Sequence, residues 1–346
     1  MLHAKGLFAT IAMTILLIGT PALIESARAA DQTLIDAAKK EGEVNWYTSQ
    51  IINQFVVPAK TLFEKKYGVR VNYIRADASD LVLRISNEAR AGRVMADTYD
   101  GTATAPGLKK EGLAMKWQPT SHLPKDYFDT EGYWVATNLY VLTPGFNTET
   151  IKPGTEPKTL QDLLDPKWRG KMAWAATPNS SAAAGFIGMV LKDMGEDKGM
   201  TYLRALAKQN IAGVNGSARQ VLDQVIAGEY AIGLQIFNHH TIISAKQGAP
   251  SAWIAMDPAM AVFSVAGVTQ GAPHPNAGKL LVDFLASPEG QTIFRDAGYI
   301  PVDPNVPPTD PKLRPDGKTF RAVFATPEEL DAAIPQWAKI YDQVFR

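Results

Sequence analysis

The sequence contains no cysteine among its 346 residues, and this absence excludes several kinds of protein. A chain without cysteine forms no disulfide bonds, uses no cysteine nucleophile and builds no thiolate metal site. An acylated cysteine at the start of an exported chain is excluded for the same reason. The folded protein must therefore be held together by its apolar core.

A strong net charge is also missing, because 35 lysines and arginines are balanced by 35 aspartates and glutamates. A protein that binds nucleic acid needs a positive field to displace the counterions of the phosphate backbone. Nucleic acid is therefore not an expected partner, and any recognition of charge must depend on a local group of residues.

Long hydrophobic runs are absent apart from residues 7–19, which follow the positive charge of Lys5. The small-x-small pattern at residues 27–29 completes a secretory signal, and we expect cleavage after Ala29. A membrane anchor is the alternative, but a helix that crosses a bilayer needs roughly 20 apolar residues. We therefore expect a periplasmic protein of about 317 residues that does not insert into the membrane, which is long enough for two lobes.

Strand and helix patterns alternate along the mature chain. Residues 44–48, 69–74 and 97–99 read as strands, and the helix at residues 52–67 stops at Gly68. Further helices are predicted at residues 34–40, 80–91, 104–111, 160–164, 182–194, 197–208, 220–227, 277–285, 289–297 and 328–344, and further strands at 171–175 and 230–237. Such alternation predicts an α/β fold with parallel strands and right-handed crossovers.

Two long strand-like segments, residues 133–144 and 261–268, bracket the second half of this pattern. If both run between lobes they form a hinge, and the first lobe is discontinuous: residues 30–135 plus 270–346, with residues 136–269 as the second lobe. A cleft between two such lobes is a usual place for a small ligand. Two α/β domains in simple tandem remain the alternative.

Four segments carry a resemblance to a known family. They are YTSQ at residues 47–50, DLLDPKWRGK at 162–171, VLDQVIAGEYAIG at 221–233, and residues 277–290 with their SPEG turn. In this order the segments resemble extracellular solute-binding proteins of ABC importers, in the group that holds ferric-iron binders and relatives for phosphate esters and aminophosphonates. The resemblance implies an α/β, two-lobed periplasmic-binding-protein fold of type II. It has mixed, mainly parallel sheets, two hinge strands and a discontinuous first lobe.

The resemblance also implies a function. We expect a monomeric binding protein without a cofactor that closes on a small polar or anionic solute and docks on an ABC permease in the inner membrane. The expected ligand is a phosphate ester, a phosphonate or a carboxylate. A sensory or purely scavenging role would use the same lobes, so the sequence leaves that alternative open.

Candidate ligand contacts lie where predicted strands meet predicted helices, since helix N-termini attract anions. Small polar side chains there are also the usual N-caps of helices, which is the alternative explanation. The candidates are Thr48, Ser49, Gln50, Ser79, Asp100, Thr102, Asn179, Ser180, Ser181 and Ser217, to which we add the aromatic residues Tyr140 and Tyr299.

His239 and His240 follow the strand predicted at residues 230–237. In the ferric binders that the chain resembles, two adjacent tyrosines stand here, and imidazole suits softer metals than ferric iron. We expect the histidines to hydrogen-bond a polar ligand. A metal site made of His239, His240 and Asp100 is the first alternative, and two surface histidines that open a helix are the second.

An exported hydrolase is the competing class of function. The sequence contains neither the G-x-S-x-G of a nucleophile elbow nor the H-E-x-x-H of a zinc protease. We therefore expect a binding protein rather than an enzyme.

Overall fold

The computed structural model describes residues 31–346, so the predicted signal segment lies outside the described residues. Within residues 31–346, no helix combines the length and the apolar character that crossing a bilayer requires.

Helices and strands alternate as the sequence predicts. The helices are α1 (Gln32–Glu41), α2 (Val57–Tyr67), α3 (Ala78–Arg90), α4 (Thr104–Lys110), α5 (Ala183–Met194), α6 (Glu196–Ala207), α7 (Ala218–Ile226), α8 (Asn238–Lys246), α9 (Pro275–Ala286), α10 (Pro288–Asp296) and α11 (Pro327–Phe345). The strands are β1 (Glu43–Thr48), β2 (Arg70–Arg75), β3 (Thr98–Gly101), β4 (Val135–Asn147), β5 (Met172–Ala175), β6 (Ala212–Val214), β7 (Ile232–Phe237), β8 (Ser251–Trp253), β9 (Ala259–Val268), β10 (Ile300–Pro301) and β11 (Ala322–Ala325). A π-helical turn, Ile52–Val56, leads into α2.

The strands form one mixed sheet in the order β2-β1-β3-β9-β4-β7-β5-β6. Pairs toward the two ends of this order are parallel, as in β1 with β2 and β5 with β6. The central pairs of β9 and β4 with their neighbours are antiparallel. Parallel pairing is therefore confined to the outer strands and to β11, which runs parallel to β9.

Strands β4 and β9 join the two halves of the sheet. All 13 residues of β4 are buried, which is why this stretch reads as a nearly continuous apolar run. The two strands pair along most of their length, and β9 contacts β3 at one end while β4 contacts β7 at the other. We call β2, β1 and β3 the first half and β7, β5 and β6 the second half. The exact lobe boundaries stay a prediction.

Helix α11 contacts elements of both halves. Trp337 packs against α5 at Gly188, where an added Cβ would come within 2.4 Å of the indole ring, and Tyr341 packs on Trp174 of β5. At the start of the helix, Glu328 accepts a hydrogen bond from Trp134 Nε1 at 2.8 Å. The C-terminal helix therefore spans the two halves on the outside of the sheet.

Candidate ligand-binding site

The carboxyl ends of β1 and β3 are tied together by Asp100, which is 1% exposed. Its Oδ2 accepts a hydrogen bond from Trp46 Nε1 at 2.8 Å, and its Oδ1 accepts from the backbone N–H and the hydroxyl of Ser49 at 2.7 and 2.9 Å. Burial raises the pKa of Asp100 above its usual value, and these hydrogen bonds oppose the rise. The carboxyl group therefore fixes the loop that follows β1.

Gln50, in the same loop, connects the first half to both joining strands. Its Nε2 donates to Asn138 Oδ1 on β4 at 3.3 Å and to Ser264 Oγ on β9 at 3.1 Å. Its Oε1 accepts from the Tyr140 hydroxyl at 3.0 Å, and its backbone N–H is bonded to Thr48 Oγ1 at 3.1 Å. Because these groups are buried, the network holds the loop in one position against β4 and β9.

His239, at the start of α8, lies between two tyrosines. Its ring stacks on Tyr140 with centroids 5.7 Å apart and an interplanar angle of 15°, and its centroid lies 4.8 Å from that of Tyr299. Tyr299 also reaches the loop after β1, where its hydroxyl oxygen accepts from Ile51 N–H at 3.3 Å. The imidazole of the second half therefore meets groups of the first half and of the joining strands.

The imidazole of His239 is 1% exposed, yet no group of residues 31–346 hydrogen-bonds either of its ring nitrogens. Burial lowers the pKa of His239 well below its usual value of 6.5, and the charge of His240 lowers it further. A neutral imidazole has one N–H donor and one acceptor nitrogen. Both remain available to a small molecule, which is uncommon for a buried polar side chain.

His240 is half-buried and turns toward α7. Burial and then the charge of Arg219 lower the pKa of His240 to about 4. The guanidinium of Arg219 donates to Ser244 Oγ of α8 at 2.8 Å and pairs with Asp223 at 2.5 Å. The alternative that both histidines lie on the surface is wrong for His239.

Ser180 is buried beside β7, where its carbonyl oxygen accepts from Gln235 Nε2 at 2.9 Å. Asn179, which is exposed, forms a local turn, since its Oδ1 accepts from the N–H of Ser181 at 3.0 Å. Ser217 caps α7 in a capping box with Gln220. These side chains are engaged in local structure, and their contact with a ligand stays a prediction.

Ser79 and Thr102 flank the carboxyl end of β3. Ser79 is exposed in the first turn of α3, and the neighbouring Ala78 is close enough that a Cβ at Gly101 would lie 2.9 Å from its own Cβ. Thr102 is partly exposed beyond Gly101. The structure thus brings Thr48, Ser49, Gln50, Asp100, Tyr140, His239, His240 and Tyr299 into one connected region, with the other candidates at its edges.

The metal alternative receives no support from this geometry. Across the part of the chain that the structure describes, no group of three or more histidine, aspartate or glutamate side chains could hold a metal ion. Asp100 uses both oxygens for Trp46 and Ser49, so its carboxylate is committed elsewhere.

Sequence reasoning missed Asn138 and Ser264, the two polar side chains inside the joining strands. Both are fully buried, and Asn138 Nδ2 has no hydrogen-bond partner among residues 31–346. They pair directly across β4 and β9 and so share one face of the sheet with Gln50. A polar residue in the middle of an apolar strand was the available signal, because such groups are costly to bury without a purpose.

Known proteins share this architecture. AfuA from Actinobacillus pleuropneumoniae, a periplasmic binding protein solved with fructose-6-phosphate, aligns with a TM-score of 0.72 and 23% identity over 88% of this chain and 98% of that chain. Iron-bound HitA from Pseudomonas aeruginosa aligns with a TM-score of 0.70 and 21% identity over 87% of this chain and 99% of that chain. These likenesses confirm the predicted two-lobed α/β fold of periplasmic binding proteins.

Curated sequences agree with this result. A protein of Salmonella paratyphi A named for periplasmic 2-aminoethylphosphonate binding is 25% identical over 313 residues, 86% of this chain and 84% of that protein. A periplasmic Fe(3+)-binding protein of Serratia marcescens is 24% identical over 67% of this chain and 70% of its own length. Residues 44–300 match the family described as bacterial extracellular solute-binding protein. The chain therefore belongs to the family of bacterial extracellular solute-binding proteins.

Proposed function

We propose that this protein captures a small polar or anionic solute, namely a phosphate ester, a phosphonate or a carboxylate, between the two halves of its sheet. It is the substrate-binding component of an ABC import system and delivers the solute to a permease in the inner membrane. In this proposal the chain is exported by its N-terminal signal segment, works in the periplasm as a monomer and catalyses no reaction.

The buried imidazole of His239 carries this proposal. It belongs to the second half, it lies between Tyr140 of a joining strand and Tyr299 of the return loop, and no group of residues 31–346 bonds its two ring nitrogens. A buried polar group without a partner is destabilising by about 1–3 kcal/mol. A ligand that bonds this ring while it contacts the first half recovers that free energy only when the halves are together, which favours closure.

The surrounding groups suit an anion held by neutral donors. Burial lowers the pKa of His239 and raises the pKa of both Tyr140 and Tyr299, so all three rings are uncharged near neutral pH. Asn138 Nδ2 adds a buried amide donor. Fixed neutral donors stabilise a small anion without the strong surface charge that the composition lacks.

The relatives support this class of ligand. One is named for 2-aminoethylphosphonate and one was solved with fructose-6-phosphate, so two related proteins take organic molecules that carry a phosphorus oxyanion. Other relatives are named for iron, but the residues described here provide no cluster of histidine and carboxylate ligands. The phosphorus oxyanion is therefore the ligand class that we propose.

Calorimetry and thermal unfolding test this function with three probes: 2-aminoethylphosphonate, fructose 6-phosphate and ferric citrate. A probe at a hundredfold excess over its Kd stabilises the folded state by about 2.7 kcal/mol. We expect such stabilisation by at least one phosphorus compound, with the compound recovered unchanged. Binding of ferric citrate alone would overturn the ligand class, and conversion of a probe to product would show an enzyme.

A further inference from the structure

Gln235 has a backbone conformation that side chains other than glycine rarely adopt. Its φ is +59° although it lies within β7, a buried strand at the centre of the second half. Residues held in this left-handed region are strained and often occur at functional sites.

Pro144, on the neighbouring strand β4, accounts for this conformation. The register pairs Thr143 with Ile236 and Gly145 with Gly233, so two residues of β7, Leu234 and Gln235, face the single residue Pro144. Proline has no N–H to donate across the sheet. The strand therefore bulges at this point, and a bulge redirects the side chain that it carries.

The redirected side chain holds the loop that leads into α5. Gln235 is 1% exposed, and its Nε2 donates to the carbonyl oxygen of Ser180 at 2.9 Å and contacts Met260 Sδ at 3.3 Å. The position of this carbonyl is unusually close to the helix: a Cβ at Gly185 would lie 1.8 Å from the Ser180 oxygen and 2.9 Å from Gln235 Nε2. Glycine at position 185 and glutamine at position 235 thus fix the same peptide.

The first turn of α5 is buried and has no side-chain cap. Ala182 is the N-cap residue and offers no hydroxyl or carboxylate, while Ala183 and Ala184 are 1% and 2% exposed. The first N–H groups of a helix have no acceptor within the helix, and they attract anions.

His239 places this helix start beside the ligand site. Met260, which touches Gln235, pairs with Leu142, and Tyr140, which stacks on His239, pairs with Val262. Residues two apart on a strand share a face and lie about 7 Å from each other. The unpartnered ring of His239 and the loop held by Gln235 therefore lie next to each other on one face of β4 and β9.

We infer that Gln235 is a positioning residue for ligand binding: it holds the Ser180 peptide so that the first turn of α5 receives the anionic group of the ligand beside His239. This inference rests on the proposed function, because it assigns one end of the ligand to one helix. Without the glutamine amide, the buried Ser180 carbonyl loses its donor, and the loop must move to find another.

Three substitutions separate positioning from simple structural support. Gln235→Ala keeps the backbone strain and loses the amide. Gln235→Gly relieves the strain, and Gln235→Asn tolerates it, but neither reaches Ser180. We expect all three variants to bind 2-aminoethylphosphonate or fructose 6-phosphate at least tenfold more weakly by calorimetry, although the glycine and asparagine variants unfold at higher urea concentrations than the alanine variant.

The matched control is Asn210→Gly, which relieves the other left-handed residue described outside glycine, at φ +53° in an exposed turn. This control should bind the probes as the wild type does. Wild-type affinity in the Gln235→Gly and Gln235→Asn proteins would overturn the inference, because a merely structural residue loses affinity only when it loses stability.

Hydrogen exchange decides the matter independently of the probe. In Gln235→Asn, without ligand, amides of residues 180–185 should exchange at least tenfold faster, while the loop after β1 stays unchanged. If the wild type binds neither phosphorus compound, the proposed ligand class fails, whereas faster exchange still supports the positioning role. Unchanged exchange in residues 180–185 would overturn that role whatever the ligand is.

Discussion

Replacing His239 by phenylalanine should make the ligand-free protein more stable and the binding site weaker. The ring is 1% exposed, and no group of residues 31–346 bonds either nitrogen. Each unpaired buried polar atom costs about 1–3 kcal/mol. Phenylalanine removes both atoms and keeps the aromatic contacts with Tyr140 and Tyr299, whose centroids lie 5.7 and 4.8 Å away.

We expect the free energy of unfolding of His239→Phe to rise by about 1–2 kcal/mol at pH 7.5, because the larger ring opposes part of the gain. The affinity for a phosphorus probe should fall by about 10- to 150-fold, which corresponds to a lost hydrogen bond of about 1.5–3 kcal/mol to a charged group. Urea unfolding without ligand measures the first quantity, and calorimetry measures the second.

His122 provides the matched control, since its Nε2 lies 2.6 Å from Oδ2 of the buried Asp303. His122→Phe leaves that carboxylate without its partner, so this variant should lose stability and keep its affinity for the probe. The reasoning about His239 is refuted if His239→Phe unfolds more easily than the wild type by more than about 1 kcal/mol and binds the probe equally well.

Two further predictions concern pH and capping. The pKa of His240 is lowered to about 4, first by burial and then by Arg219, and that of His239 is lowered further below 6.5. Below pH 6.5 the unfolded chain binds these protons and the folded chain does not, so stability should fall from pH 6.5 toward 4, by up to about 1.4 kcal/mol per pH unit for each ring. Urea unfolding at pH 7.5, 6 and 5 checks this, and an equal pH dependence in His239→Phe would contradict it. Ser217→Ala should lower the free energy of unfolding by about 1 kcal/mol through loss of the cap. Its calorimetric affinity should match that of the wild type, and a tenfold loss of affinity without loss of stability would instead make Ser217 a ligand contact.

Strand β4 illustrates how far periodicity alone could lead. The apolar run at residues 133–144 predicts a long buried strand, and Val135–Asn147 is one. The helix that precedes Gly68 ends there because Gly68 adopts a left-handed conformation at φ +70°. These features depend on neighbours in sequence, so local propensity and burial pattern suffice to predict them.

The short strands β6, β8 and β11 were not predicted from the sequence. Each has three or four residues, and each forms only because a longer strand offers it a free edge. The same limit applies to the site. The pattern indicated His239 and Tyr140 separately, but their stacking depends on the pairing of β4 with β9 and β7, which no local pattern specifies.

The sequence by itself determined the class of the molecule: a cysteine-free, charge-balanced α/β chain with two long apolar strands and polar residues at its strand ends. Only the tertiary structure decided which polar groups meet. Asp100 and Ser49 are separated by 51 positions, and Gln50 and Ser264 by 214, and they touch because the sheet returns the chain to the same place. Burial also depends on that return, since a histidine loses its water and its charge only when other segments surround it. The unpartnered ring of His239 is therefore a property of the fold, although the residue itself is written in the sequence.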